Sequence, residues 1–326
     1  MRTVYVDEYR FSPEWTPAER DTANLLRLFV PHAPSALRAH AALADSASRK
    51  IFRQLLLHRM AHPKRASIST NAARAKALKD FMGARLISSP LHPPMADLLG
   101  FPIEQYQLPF RGDVLTLATT KYSLYWAFCN EQYHLQRPGI AIEPEAGDTV
   151  IDCGCYTGDT SIRFALDVGQ SGRVISLDPS EVHMNIARSN AKANNLFGRT
   201  TFLAMGVSDR IQISDSVAAC TDLNPGRRLS STDSTTTIDA LRSDLSLDSV
   251  DYIKMDVEGS EVAALRGAHD TITSCRPKMA VCVYHKPGDL WEIPNYIRAR
   301  YPFYRLFLDH HSLHDEETVL YAVADR

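Results

Sequence analysis

The chain has no apolar run near the ~20 residues that a bilayer-spanning helix requires, so no membrane partner is expected. Its first ten residues, Met-Arg-Thr-Val-Tyr-Val-Asp-Glu-Tyr-Arg, hold no apolar leader, and a cytoplasmic location is the expectation. Cysteine is sparse: six residues (129, 153, 155, 220, 275 and 282) form no C-x-x-C pair and no second cluster at zinc-finger spacing. That argues against a zinc module and suits reduced thiols. Neither sign of charge dominates, and a formal net charge of −2 makes a nucleic-acid partner unlikely. None of the 15 glycines falls in a G-x-G-x-x-G array. That array is the fingerprint of pyrophosphate-bearing dinucleotide sites, so a NAD-binding oxidoreductase becomes a remote alternative.

What is present is a globular composition, 44% apolar and 23% charged, in a chain long enough for a core domain with an accessory region. The charge is unevenly spread. Between Arg49 and Arg85 stand ten basic residues (49, 50, 53, 59, 64, 65, 74, 76, 79 and 85) against one acid, Asp80. The plain interpretation is a solvated helical face. The sharper one is a docking surface for a phosphorylated or carrier-bound substrate, with a homodimer contact as a further alternative. Only Phe52 and Phe81 offer aromatic faces there, too few for a nucleic-acid platform.

Residues 1–110 form a helical accessory region by their Leu/Ala spacing, with helices expected at 21–30, 35–44, 46–60 and 69–82. Five prolines (90, 93, 94, 102 and 109) make 86–109 a stretch of turns and connectors. A strand at 112–118 leads into a domain covering 111–326. An aromatic helix from Tyr122 to Leu135 carries Tyr122, Tyr125, Trp126, Phe128 and Tyr133, whose spacing suits packing. From residue 147 strands (149–153, 173–178, 199–206, 250–256, 278–284, 303–308, 317–323) alternate with helices (157–168, 180–194, 259–274, 290–300). That alternation predicts an α/β fold with a mostly parallel sheet. The last two strands follow each other directly, so a hairpin with an antiparallel strand at the sheet edge is expected. Residues 211–237, rich in Ser, Thr and Asp, interrupt the alternation as an insertion.

The densest information lies in Thr149-Val-Ile-Asp-Cys-Gly-Cys-Tyr-Thr-Gly-Asp-Thr160. A strand ends at Asp152, the glycines Gly154 and Gly158 make a tight turn, and a helix begins, which aims a helix N-terminus at a ligand. Asp178 closes the next strand 26 residues later, where a carboxylate can accept from both hydroxyls of a ribose. This pairing resembles the S-adenosylmethionine site of class I methyltransferases. Cys153 and Cys155, on either side of Gly154, suit small packing positions.

The stretch Val250-Asp-Tyr-Ile-Lys-Met-Asp-Val-Glu-Gly-Ser-Glu261, continuing to Ala268, resembles the signature of FkbM-type methyltransferases. The likeness runs over roughly residues 140–324. It includes Thr236-Thr-Ile-Asp239 and the terminal Glu317-Thr-Val-Leu-Tyr321-Ala. It implies a class I methyltransferase (Rossmann-like) sheet of seven strands, mostly parallel with an antiparallel edge strand, and S-adenosyl-L-methionine as cofactor. By the same resemblance, Asp152, Gly154, Cys155 and Gly158 would hold the methionine portion, Asp178 the ribose, and Asp209 the adenine amine. Asp256 and Glu258 would stand at the strand end where acceptor and methyl group meet.

Methyl transfer asks the protein to align two reactants and take a proton, and a base near neutral pKa suits the second task. His285, ending the fifth strand, fits as general base, with a substrate-orienting donor or a structural pairing with Asp256 or Glu258 as alternatives. Asp256, Glu258 and His285 could instead hold Mg²⁺ or Mn²⁺. His310, His311 and His314 read as a loop lining the acceptor pocket. Lys254 reads as a salt bridge toward the following helix, and Glu261 as a structural carboxylate in a first helical turn. The expected activity is O-methylation of a sugar or secondary-metabolite hydroxyl. The alternatives are an N- or carboxylate-methyltransferase, or a non-catalytic cofactor-binding protein.

Overall fold

The computed structural model describes residues 30–60, 72–83, 86–97, 100–213, 234–312 and 316–325. The expected helix at 21–30, most of the 211–237 insertion, and His314 lie outside these residues. The chain opens with helices α1 (Ala33–Ala42), α2 (Ser46–Met60) and α3 (Ala72–Gly83), then strands β1 (Ile87–Ala96), β2 (Pro102–Phe110) and β3 (Asp113–Thr119). A short helix α4 (Lys121–Leu124) passes into a π-helical turn, Tyr125–Cys129, and a small hairpin of β4 (Leu135–Arg137) and β5 (Ile140–Ile142) follows. The alternating part comprises β6 (Thr149–Cys153), α5 (Asp159–Asp167), β7 (Arg173–Asp178), α6 (Glu181–Ala193) and β8 (Thr200–Ala204). After the two-residue strands β9 (Gly206–Val207) and β10 (Thr235–Thr236) come α7 (Ile238–Asp244), β11 (Tyr252–Met255), α8 (Glu261–Arg266) and α9 (His269–Cys275). The chain closes with β12 (Lys278–Cys282), α10 (Asp289–Arg300), β13 (Tyr304–His310) and β14 (Thr318–Ala324).

Seven strands form one sheet in the order β13-β14-β12-β11-β6-β7-β8. The pairs β12/β11, β11/β6, β6/β7 and β7/β8 are parallel, whereas β14 runs antiparallel to both β12 and β13. This is the expected sheet with one refinement: the antiparallel strand lies one place inside the edge, and β13 lies outside it. Every residue of β6 is buried, as a parallel strand covered on both faces must be. Ile151 and Cys153 belong to one core with α1, α2 and α10, and Val150 joins a second core with β2, β3, α5 and α6. Both faces are therefore covered, as in a doubly wound sheet. No helix among the described residues is long and apolar enough to cross a membrane.

Residues 86–109 are not the connectors that their prolines suggested. They are most of a three-stranded antiparallel sheet, β1-β2-β3. Proline survives because β1 is an edge strand whose register shifts between Pro90 and Met95, and Pro102 and Pro109 sit near the ends of β2. The free edge of β3 meets α6, where two asparagine amides act as a surrogate strand. Asn190 exchanges bonds of 2.7 and 3.0 Å with the Ala118 backbone, and Asn194 bonds of 2.9 and 2.7 Å with Thr116. Those bonds satisfy backbone groups that an uncovered edge would leave open.

The 110/111 boundary falls inside the β2–β3 hairpin, which pairs Phe110 with Asp113. The helices before it do not stand apart either. α1 packs on α10 and α2 on β13, and Ala44 N–H donates to Leu306 O at 2.7 Å. The aromatic helix expected over 122–135 ends early, at Cys129, and Glu131 turns the chain with a φ of 50°. Helix 259–274 divides into α8 and α9 at Gly267, where an added Cβ would stand 2.1 Å from Ser208 O.

Candidate active site

The C-terminal ends of β6 and β7 form the first half of the site. Gly154 (φ 76°) and Gly158 (φ 80°) are both left-handed, as the turn demands. Their missing side chains make room for protein, not ligand. A Cβ on Gly154 would meet Asp256 O at 1.7 Å, and one on Gly158 would meet Ala187 Cβ at 2.7 Å. The turn's polar backbone is used internally as well. Gly154 and Cys155 N–H donate to Leu177 O at 2.7 and 3.1 Å, and Gly154 O accepts from Lys254 Nζ at 2.6 Å. The Gly154 and Cys155 N–H groups are thus engaged within the protein. The buried Cys155 thiol packs in the core, and burial pushes it well above the usual thiol range.

Asp152 is likewise engaged within the protein. It is fully buried beneath the turn, where Oδ2 accepts from Thr160 and Ser161 at 2.7 and 2.8 Å and Oδ1 lies 3.3 Å from Lys254 Nζ. It anchors the start of α5 through Thr160 and Ser161. Lys254 faces the neighbouring strand β6, not the following helix, because parallel register sets it opposite Asp152. Burial works against its charge, but Asp152 and Asp256 outweigh that and hold Lys254 above the usual lysine range.

What the turn leaves for a ligand is Asp178 and Tyr156. Asp178 closes β7 and accepts from Tyr156 N–H at 3.2 Å and Ser180 N–H at 2.9 Å, with His183 Nδ1 at 3.1 Å. Tyr156 adopts a left-handed φ of 48°, and its hydroxyl is buried without a hydrogen-bond partner among the described residues. An acceptor carboxylate at a strand end, with a tyrosine carrying an orphaned hydroxyl bonded to it through its backbone N–H, fits a ribose-bearing ligand. Asp209 is exposed, and its nearest cation is Arg266, 3.8 Å away at the last residue of α8.

The second half is a corner built by β11, β12 and the start of β14. Asp256 Oδ2 accepts from Tyr133 Oη at 2.8 Å, and Oδ1 accepts from Tyr284 Oη at 3.2 Å. His285 sits between two carboxylates, with Nε2 3.2 Å from Asp256 Oδ1 and Nδ1 2.8 Å from Glu261 Oε1. These are ion-pair distances; the N–H directions miss hydrogen-bond alignment. Burial alone would lower the imidazole, yet Asp256 and Glu261 outweigh it and push His285 up to about 11. Burial would likewise raise Asp256, but His285 and Lys254 overcome this and hold it well below the carboxylate range. These charges favour the protonated imidazole, which weighs against His285 as general base and suits the structural pairing with Asp256.

Glu258 is 91% exposed, and its Oε2 is 3.8 Å from His285 Nε2. The trio Asp256, Glu258 and His285 does not form a metal-holding group in this arrangement: His285 Nδ1 faces Glu261, and the Glu258 carboxylate stands 3.8 Å from Nε2 on an exposed side chain. No metal-holding group of three such residues occurs among the described residues. Glu261 is fully buried at the start of α8 and does more than suit the helix dipole. Its Oε1 also accepts from Val257 and Gly259 N–H at 3.0 and 3.4 Å, shaping the turn that carries Glu258.

His310 and His311 are buried, not solvated. His310 Nδ1 meets Thr318 Oγ1 at 2.9 Å and His311 Nε2 meets Tyr321 Oη at 3.0 Å. Burial lowers His310 to about 3, so it stays neutral. Of the basic tract, Arg49 and Arg53 bond to Leu43 O and His40, while Arg59 Nη1 donates to Pro287 O at 3.1 Å beside the corner.

Sequence reasoning missed Tyr133, Tyr284 and Glu317. Tyr133 counted as one of a packing stripe, and nothing in its spacing distinguishes it. Tyr284 precedes His285 in the same motif, and Glu317 opens the strand that only tertiary pairing brings to this edge.

Fold and site together define a class I methyltransferase architecture. The methyltransferase FkbM domain matches residues 152–314, half of the sequence, and the chain belongs to that family. Among solved structures it is similar to methyltransferase FkbM from Methylobacillus flagellatus KT, at 19% identity and a TM-score of 0.56. That likeness covers 91% of this chain and 60% of the other. Local stretches resemble a probable cobalt-precorrin-6B C(15)-methyltransferase from Saccharolobus solfataricus (46% identity over 46 residues, 14% of this chain). A demethylmenaquinone methyltransferase from Oceanobacillus iheyensis matches similarly (48% over 44 residues, 14%). The chain spans 23% and 18% of those curated relatives.

Proposed function

We propose that this protein transfers a methyl group from S-adenosyl-L-methionine to a hydroxyl of a small-molecule acceptor, a sugar or a secondary metabolite. The observation that carries the proposal is the joining of two unlike half-sites on one sheet edge. Asp178 with the orphaned Tyr156 hydroxyl suits a ribose, and the Asp256 corner supplies ionisable groups where an acceptor would stand. Binding at the carboxyl ends of the strands is the general habit of open α/β sheets.

S-adenosylmethionine would bring an electrophilic methyl group on sulfur. The chain's own residues do the rest. Asp178 and Tyr156 hold the nucleoside end, Tyr133 and Tyr284 hold Asp256 in place while His285 and Lys254 keep it ionised, and the Asp256–His285–Glu261 line fixes the floor of the acceptor corner. Rates then come from alignment and from proton removal.

Calorimetry with S-adenosylhomocysteine tests the reading. A micromolar Kd, about −8 kcal/mol, is expected for the native chain, with no heat from NAD. Asp178→Ala should weaken it by about 1–3 kcal/mol, as ribose hydroxyls lose a charged acceptor. Native affinity in that variant, or binding of NAD in place of the nucleoside sulfide, would overturn the assignment.

A further inference from the structure

The proposed transfer needs a group able to receive a proton, and the histidine at the corner already holds one. Asp256 takes two tyrosine hydroxyls and pairs with His285, which leaves it a weak base. Glu258 points into solvent. Glu261 is committed to His285 and to the Val257 and Gly259 N–H groups, which leaves Glu317 among the corner carboxylates of the described residues. Glu317 immediately precedes β14, and the antiparallel course of that strand carries its start to the edge where β11 and β12 end. Val319 pairs with Cys282, and Val283 N–H donates to Thr318 O at 3.0 Å, so Glu317 comes level with Tyr284.

The residue is held there deliberately. Its backbone is left-handed (φ 56°), a conformation that costs energy in a non-glycine residue and gathers at functional sites. Its carbonyl accepts from His311 N–H at 3.0 Å, and its Oε2 accepts from Gln132 Nε2. Gln132 is itself buried, and its carbonyl accepts from Tyr321 Oη, the hydroxyl that meets His311. A neutral amide is thus the side-chain donor to this carboxylate among the described residues, whereas Asp256 faces a cation.

We propose, resting on the methyl-transfer reading above, that Glu317 is the general base of the reaction. Its carboxylate takes the acceptor's hydroxyl proton as the acceptor oxygen bonds to the methyl carbon. The carbon–sulfur bond breaks in the same step and leaves its electron pair on sulfur, as S-adenosylhomocysteine. Burial, reinforced by the charge of Asp256 and then opposed by Gln132, pushes the Glu317 carboxyl up to about 8, with Glu316 raising and His285 lowering it in smaller measure. Tyr133, Tyr284 and Cys282 nearby are held well above their usual values and stay protonated, while His311 and Tyr321 stand beside it through the Glu317 and Gln132 carbonyls. A base poised near neutrality is the effective kind. Because the ionised form is the active one, kcat should rise with pH through that midpoint.

The full-length protein, labelled with carboxyl-¹³C glutamate and saturated with S-adenosylhomocysteine, provides a test that needs no acceptor. The resonance missing from Glu317→Gln identifies Glu317, and its midpoint should lie near 8. A midpoint in the ordinary glutamate range, about 4–5, overturns the proposal. With labelled S-adenosylmethionine and a panel of hexose and phenol hydroxyls, Glu317→Gln should lower kcat by about 10²–10⁴-fold. It should also abolish the acid limb of the pH profile, while S-adenosylhomocysteine affinity and the far-UV spectrum stay native. Native kcat with the acid limb intact in that variant overturns it equally. On a silent panel the carboxyl titration alone decides. A native chain that binds no S-adenosylhomocysteine fails the underlying methyl-transfer reading as well, whereas tight binding with an ordinary Glu317 titration fails the base assignment alone.

Discussion

The turn after β6 and the corner of β11, β12 and β14 share one sheet edge, yet they are built in opposite ways. The turn comes from one continuous stretch, and nearly all of its polar groups are spent on the protein. Asp152 reaches Thr160, Ser161 and Lys254, and the Gly154 and Cys155 N–H groups reach Leu177. The corner draws on five separated segments (around 132–133, 256–261, 284–285, 311 and 317) and concentrates charge. The contrast separates two kinds of construction: the turn fixes a shape, and the corner fixes the protonation states of the groups it gathers. A shape can be encoded locally by glycine, but a set of shifted pKa values needs distant charges brought together.

Substitutions that couple or separate the two halves sharpen the comparison. The largest effect is expected at Gly154, where the halves touch. Alanine there would place Cβ 1.7 Å from Asp256 O on a left-handed backbone. A loss of about 5 kcal/mol or more is expected, at the extreme of single-site effects. Urea unfolding measures it, and a loss under about 1 kcal/mol would mean that the turn and the Asp256 strand end are not in contact.

Lys254→Met should come next. It strips the counter-charge from Asp152, which is fully buried, and also removes the donor to Gly154 O. Breaking a buried pair by removing one partner costs about 3–5 kcal/mol, read by the same unfolding experiment. Lys254→Met with Asp152→Asn should recover part of that loss, and no recovery would argue against a direct pair. The smallest effect is expected at Asp209→Ala. Its carboxylate is exposed and loosely paired with Arg266, an arrangement worth about 0–1 kcal/mol. S-adenosylhomocysteine affinity should change less than about twofold, and a tenfold loss would return Asp209 to the adenine site.

Much of the core was readable before any coordinates. The strands at 149–153 and 173–178 coincide with β6 and β7, because a buried parallel strand is a continuous apolar run bounded by turn residues. Residues 86–109 were not readable, because proline signals a break unless the strand lies on an edge or bulges, and only the neighbouring chain shows that. His285 illustrates the same limit in chemistry. Residue type suggested a base near neutrality, but two carboxylates from other segments make it a cation.

The sequence by itself determined the strand–turn–helix of residues 149–167, the alternation that follows, and the FkbM signature around Asp256. Each is a local pattern of apolar spacing, glycine and charge. Only the tertiary structure decided that Asp152 and Lys254 neutralise one another beneath the turn, that Tyr133, while packed in the core, donates to Asp256, and that Glu317 comes level with Tyr284. Those outcomes depend on parallel register, antiparallel insertion of β14 and the burial of charges, none of which is a property of neighbouring residues along the chain.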